Sequence, residues 1–115
     1  MGEDCVFCKI VAGEIPADRV YEDELAVAFK DLNPSAPHHV LIVPREHIAS
    51  VNEVAEDNQA VIGHLFMAAG KAAQKLGIDQ SGYRCVINTN QDAGQEVFHV
   101  HVHMLGGRKF GWPPG

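Results

Sequence analysis

Near its C-terminal end the chain alternates without a break: Phe98, Val100, Val102 and Met104 are apolar, and His99, His101 and His103 stand between them. In a strand, positions i, i+2 and i+4 share one face. The pattern therefore predicts a strand over residues 97–105, with the apolar set on the core. The three imidazoles then line the opposite face in a row. An imidazole with an unperturbed pKa near 6.5 is largely neutral at pH 7 and can act as nucleophile, general base or metal ligand. A lone strand histidine is usually a solvated or otherwise satisfied polar residue. Three in strict alternation, with the apolar pattern kept between them, read as neither chance clustering nor a disordered His-rich tract. Metal binding by all three is the rival functional reading.

The rest of the chain supplies partners for such a strand. Residues 5–12 read as a short helix ended by Gly13. Residues 20–22 and 25–30 read as two strands around the acidic turn Glu22-Asp23-Glu24. Val40-Leu41-Ile42-Val43 is a continuous apolar run stopped by Pro44, which suits a buried strand. Residues 57–76 form the clearest helix, with Val61, Ile62, Leu65, Phe66, Ala69, Ala72, Ala73 and Leu76 on one apolar face. Asp57 suits its start and Gly77 its end. Residues 83–89 read as a strand and 90–95 as a polar loop. The links are too short for parallel crossovers, so the expected fold is α+β, with about five mainly antiparallel strands, one long helix and one short one.

A length of 115 residues with 46% hydrophobic content supports one core, hence one domain over residues 1–115. The formal net charge of −6 argues against non-specific binding to nucleic acid or anionic membranes, but leaves room for a small phosphorylated ligand. No apolar run reaches the roughly 18–20 residues of a membrane span, and acidic Met1–Asp4 does not resemble a secretory signal, so a cytoplasmic protein is expected. Of three cysteines, Cys5 and Cys8 form a Cys-x-x-Cys, read as a metal or redox pair, and Cys85 as a buried strand residue. Asp92-Ala93-Gly94-Gln95 precedes the histidine strand, and a glycine there with free backbone N–H groups suits a phosphate.

His99-Val100-His101-Val102-His103-Met104-Leu105 resembles the His-x-His-x-His-x-x signature of the histidine-triad nucleotide-binding family. Ile10-Val-Ala-Gly-Glu-Ile-Pro16, Ala28-Phe-Lys-Asp31, Pro34-Ser-Ala-Pro37 and Val43-Pro-Arg-Glu-His47 are similar to other stretches of that family. The ending Gly106-Gly-Arg-Lys-Phe-Gly-Trp112-Pro-Pro-Gly115 is similar to its Hint branch. The resemblance implies that His101 attacks the α-phosphorus of a nucleotide, that His103 contacts the phosphate or leaving group, and that the region of His99 orients the nucleophile through its backbone carbonyl. It aligns His39 with an upstream active-site histidine; read alone, His39 beside His38 is equally an exposed turn residue. It places Asn88, Gly94 and Gln95 at the phosphate, Ile15, Phe29 and Leu32 on the base, and Asp31 on the ribose hydroxyls. Read alone, Ile15, Phe29 and Leu32 are plain core residues.

The resemblance also implies a structural Zn2+ on Cys5, Cys8, His47 and His99, as in many bacterial members, and no cofactor for the chemistry itself. It implies a homodimer built on the long helix and the strand over 83–89, joining two sheets, with Trp112 reaching toward the partner's site. The expected activity is cleavage of the P–N bond of purine nucleoside phosphoramidates, with AMP or GMP as the nucleotide part. Alternatives are hydrolysis of dinucleoside polyphosphates or related anhydrides, and a purine-nucleotide-binding scaffold with little turnover. Glu96 departs from the serine of animal Hint proteins; an ionised glutamate donates no hydrogen bond and repels an anion, so it is expected to point elsewhere or to tune leaving-group choice.

Overall fold

The computed structural model describes residues 4–115. Five strands form one sheet: β1 (Arg19–Glu22), β2 (Ala26–Lys30), β3 (His38–Pro44), β4 (Tyr83–Val86) and β5 (Val102–Gly106), in the order β1-β2-β3-β5-β4. Every neighbouring pair is antiparallel. Three helices accompany them: α1 (Val6–Val11), α2 (Gln59–Leu76) and the single turn α3 (Asn90–Ala93).

The sheet is covered on both faces, which explains why the stretches Ala26–Phe29 of β2 and Val40–Val43 of β3 are continuously apolar and not alternating. Ala26 and Ala28 of β2, Val40 and Ile42 of β3, and Val102 and Met104 of β5 pack under α2. Val27, Phe29, Leu41 and Val43 point the other way, against Phe7 and Ile10 of α1. Because Val102 and Met104 take the α2 face, period-2 alternation turns His103 toward the α1 face.

On α2, Ala68, Ala69, Ala72 and Ala73 are all buried, so the small residues bring the helix close to its own sheet. Phe66, expected on the buried stripe, is 46% exposed, and Ala68 takes its place. The helix starts at Gln59 behind Asn58, not at Asp57, and ends as expected at Gly77 with φ of 74°.

Other expected boundaries move as well. β5 begins at Val102, five residues later than the alternation suggests. The pairing partner β3 ends at Pro44, which has no N–H to extend the ladder. Upstream of it Val100 N–H donates instead to Ile48 O at 2.6 Å, and Phe98 is exposed. β4 likewise stops at Val86, short of Thr89. Residues expected as a loop contain α3, closed by Gly94 with φ of 82°. After β5, Gly107 has φ of 93°, and a Cβ there would lie 2.8 Å from Pro37 Cβ, so only glycine fits.

Asp23 knits the β1–β2 turn to α2. Its Oδ1 accepts from the N–H groups of Leu25 and Ala26, both at 2.9 Å. Its Oδ2 accepts from Tyr21 Oη at 2.8 Å and His64 Nε2 at 2.7 Å. Partial burial acts to raise the carboxyl pKa, but the hydrogen bonds from Leu25, Tyr21, His64 and Ala26 outweigh it and bring it down to about 2. A carboxyl depressed below its unfolded value of roughly 3.9 stabilises the fold above that pH and ceases to as pH falls through the folded value. Asp23→Asn keeps one acceptor oxygen without the charge. It should be less stable than wild type by about 1 kcal/mol at pH 7, and urea titrations should show the gap closing between about pH 4 and about pH 2.

Candidate active site

β3 and β5 carry two of the site's imidazoles on adjacent strands, with Leu41 opposite His103 and His39 opposite Leu105. The backbone N–H of Ser35, in the turn before β3, donates to His39 Nδ1 at 3.0 Å. That nitrogen therefore carries no proton, and the proton of the neutral ring sits on Nε2. His39 Nε2 lies 2.9 Å from His103 Nδ1 and donates to it. His103 must then hold its own proton on Nε2, the nitrogen it can offer to the cavity it lines. Asp31 Oδ2, 3.4 Å from His39 Nε2, backs the same chain of hydrogen bonds.

His101 is arranged in the opposite sense. Its Nδ1 donates to the carbonyl oxygen of His99 at 2.8 Å, so the lone pair of the neutral ring is on Nε2. The Phe7 ring stands edge-on to it, centroids 5.0 Å apart at 86°. Burial lowers the His101 pKa against the opposing pull of the His99 carbonyl and Asp31. Burial, then the neighbouring His101 and His39, push His103 down to about 4. At pH 7 both rings are neutral, one offering a lone pair and the other an N–H.

These three histidines line a cavity of about 560 Å3. Ile15, Phe29, Asp31, Asn88 and Gly94 line it as well. Leu32 is 95% exposed and stands on its rim. The backbone N–H groups expected to be free for phosphate are spent: Gly94 N–H donates to Gln91 O at 3.0 Å and Gln95 N–H to Asn90 O at 3.1 Å, closing α3. Gln95 is buried and does not line the cavity. Its Nε2 donates to Ala49 O at 2.9 Å and Val97 O at 3.0 Å, and its Oε1 accepts from Asn90 N–H at 2.9 Å, so it latches the loop before His99. Trp112 is 83% exposed and lies outside the cavity lining. Phe7, Ile10 and Val97 line the cavity without having been expected there; Glu96, expected to point elsewhere or to tune leaving-group choice, lines it too. The only sequence sign for Phe7 was its place between the two cysteines.

His99 leaves the row. Fully buried, it donates from Nε2 to Pro44 O at 2.8 Å, which leaves Nδ1 as a lone pair. That nitrogen lies 3.3 Å from Cys5 Sγ and 3.5 Å from Cys8 Sγ. His47 Nδ1 lies 3.3 Å from Cys8 Sγ. All four donor atoms fall within 4.8 Å of one another, forming a potential metal-binding group. A tetrahedral centre with bonds of roughly 2.3 Å to sulfur and 2.1 Å to nitrogen has S···N edges of roughly 3.5 Å, so the donor set fits. The carbonyl that fixes the His99 tautomer is the kind of outer partner that orients a ligating imidazole. Burial, with Cys5 beside it, raises the Cys8 thiol to about 11; a bound cation would reverse that.

Residues 12–110 match the HIT domain. The chain belongs to the HIT-domain family. It is 49% identical to a HIT-like protein of Synechococcus elongatus over 115 residues, the whole of both chains. It is 46% identical to the purine nucleoside phosphoramidase of Escherichia coli K12 over 111 residues, 96% of this chain and 93% of that one. A HIT family hydrolase from Legionella pneumophila superposes with a TM-score of 0.93 at 49% identity, covering 97% of this chain and 100% of the other. A histidine triad protein from Clostridium difficile gives 0.91 at 44% identity, covering 94% of each. The expected α+β fold with a five-stranded antiparallel sheet is thus the HIT fold, and the Cys5–Cys8 pair lies N-terminal to the residues matched by the domain.

The imidazole tautomers are directly measurable. Nitrogen-15 correlation spectra at pH 7 should show His101 with its proton on Nδ1, and His39 and His103 with theirs on Nε2. His103 should stay neutral until pH approaches about 4. A His101 proton on Nε2 would take the ring's lone pair out of the cavity and contradict the arrangement.

Proposed function

We propose that the chain hydrolyses purine nucleoside phosphoramidates at the α-phosphate through a nucleotidyl-histidine intermediate on His101. The carrying observation is the His101–His99 carbonyl hydrogen bond of 2.8 Å, which leaves Nε2 of a buried, neutral ring as a lone pair at the cavity. In the first step Nε2 bonds to phosphorus as the P–N bond to the amine breaks. The amine leaves with the electron pair and takes a proton from water. In the second step water attacks phosphorus, the bond to Nε2 breaks, the nucleoside monophosphate leaves and the water's proton passes to solvent. Two easier displacements replace one difficult one. The ring becomes cationic while nucleotidylated, and its Nδ1–H bond to the His99 carbonyl strengthens accordingly.

The surrounding residues take roles that suit this reaction. His103, held by His39, offers Nε2–H to a phosphoryl oxygen or the leaving group. Ile15, Phe29 and Leu32 receive the purine, and Asp31 accepts from the ribose hydroxyls. Asn88 and Gly94 border the phosphate, while Gln95 holds the loop that carries them. The E. coli relative's name, purine nucleoside phosphoramidase, favours amidates over polyphosphates as substrates. Assembly as a homodimer belongs to the same proposal: β4 is a sheet edge, and Phe66 and Met67 expose apolar surface on α2. Trp112, exposed in one chain, would serve the second copy's site. Among the described residues no helix is long and apolar enough to cross a membrane, and a reducing cytoplasm suits the free thiols.

His101→Ala tests the reaction. Acid-quenched wild type mixed with an AMP amide should carry one nucleotidyl group on His101, found by mass spectrometry of its peptides. The alanine variant should carry none, and its kcat should fall by roughly 10³-fold or more. Equal, slow turnover by both proteins would leave nucleotide binding as the function.

The donor set of Cys5, Cys8, His47 and His99 is assigned to a structural Zn2+, which would cross-link α1 to the segment entering β5. Protein purified without chelators should contain about one equivalent of zinc. Cys5→Ser should lose it, and the melting temperature should fall by roughly 10 °C. Wild type with under about half an equivalent, or an unchanged melting temperature, would remove zinc from the description.

A further inference from the structure

Four charged side chains line the cavity: Asp18, Lys30, Asp31 and Glu96. Three are already engaged. Lys30 Nζ lies 3.5 Å from Asp18 Oδ2. Asp31 Oδ1 accepts from Asn33 N–H at 2.8 Å, and its Oδ2 lies 3.4 Å from His39 Nε2. Glu96 has neither a hydrogen-bond nor an ion-pair partner among the described residues. Neither His101 nor His103 pairs with it: His101 Nδ1 is spent on the His99 carbonyl and His103 Nδ1 on His39 Nε2. A site built to take a nucleotide anion therefore presents an uncompensated carboxylate and, among the described residues, no free cation.

That carboxylate is exposed but not loosely held. Gln95 before it is buried and latched to Ala49 O and Val97 O, and Val97 after it packs against the Phe7–Phe29 cluster. Asp18 and Lys30 lie near Ile15 and Phe29, where the purine is proposed to bind. Glu96 instead stands beside Gly94, in the loop that leads into His99 and His101.

Resting on the phosphoramidase reading, we propose that Glu96 selects the charge of the leaving group. It favours nucleoside monophosphate amidates whose amine carries a further positive charge, and it discriminates against nucleoside polyphosphates. No bond to Glu96 forms or breaks; it acts through its field. At several ångströms and partial solvent exposure, one unit charge changes affinity by roughly tenfold, in opposite directions for a cation and an anion.

Two measurements on wild type, Glu96→Gln and Glu96→Asp test this. The first is the equilibrium affinity for AMP and ATP, by calorimetry at low salt. Wild type should favour AMP, and Glu96→Gln should shift the AMP-to-ATP affinity ratio roughly tenfold toward ATP, with Glu96→Asp restoring most of the preference. High salt should shrink the difference. The second is kcat/KM for the AMP amides of propylamine and of 1,3-diaminopropane. Wild type should prefer the diamine conjugate, and Glu96→Gln should treat both alike. If Glu96→Gln changes both nucleotides and both amides by one common factor, Glu96 does not select charge and the inference fails. If neither amide is cleaved by wild type while the affinity ratio still shifts, the phosphoramidase reading fails and the charge selection by Glu96 stands.

Discussion

The site depends on one residue bonded in two directions, His99. Its side chain is fully buried, donating to Pro44 O on one nitrogen and facing Cys5, Cys8 and His47 with the other. Its backbone carbonyl accepts the Nδ1–H of His101. The group that fastens α1 and the end of β3 to the segment before β5 is therefore the same residue that chooses the tautomer of His101. A shift of the His99 backbone would change both the donor cluster and the nitrogen that His101 offers to the cavity. Phe7 adds a second link, because it sits between the two cysteines and its ring stands 5.0 Å from His101, 6.0 Å from His99 and 5.6 Å from Phe29.

The sheet supplies the rigid ground for this arrangement. A strand face with alternating imidazoles would ordinarily be solvated, but α1 and its loop cover it, so the histidines are desolvated and must find partners. They find them in order: Ser35 N–H to His39, His39 to His103, His101 to the His99 carbonyl, His99 to the Pro44 carbonyl. No buried side-chain nitrogen or oxygen among the described residues is left without a partner. The same burial keeps His101 and His103 neutral, so that adjacent imidazoles neither repel one another nor protonate the lone pair at pH 7. Because these imidazoles are bonded to one another and to backbone groups, none of them pairs with Glu96, the cavity carboxylate without a partner among the described residues.

Much of this was legible in the chain because local periodicity and short motifs carry it. The apolar run Val40–Val43, the helix pattern ending at Gly77 and the Cys5-x-x-Cys8 spacing each point to what the structure contains. The departures cluster where tertiary contacts override local pattern. The alternation over 97–105 is unbroken, yet the strand starts only at Val102, because Pro44 ends the ladder and Ile48 takes the Val100 N–H. Gly94 reads as a phosphate loop, yet its N–H closes a single helical turn. Gln95 is expected at the phosphate, and its side chain latches the loop before His99. Phe66 fits the helical stripe, but its angle on α2 places it at the edge, where solvent reaches it.

The amino-acid order by itself determined which faces are apolar, where the chain turns and which side chains could do chemistry, since these follow from residue type and from periods of 2 and 3.6. The tertiary structure decided which histidine does what. Three identical side chains with identical spacing acquire different tautomers and neighbours only from groups far away in the chain, such as Ser35, Pro44, Cys5 and Cys8. A ring nitrogen is a donor or an acceptor according to what stands opposite it, and that is set by packing and not by position in the sequence.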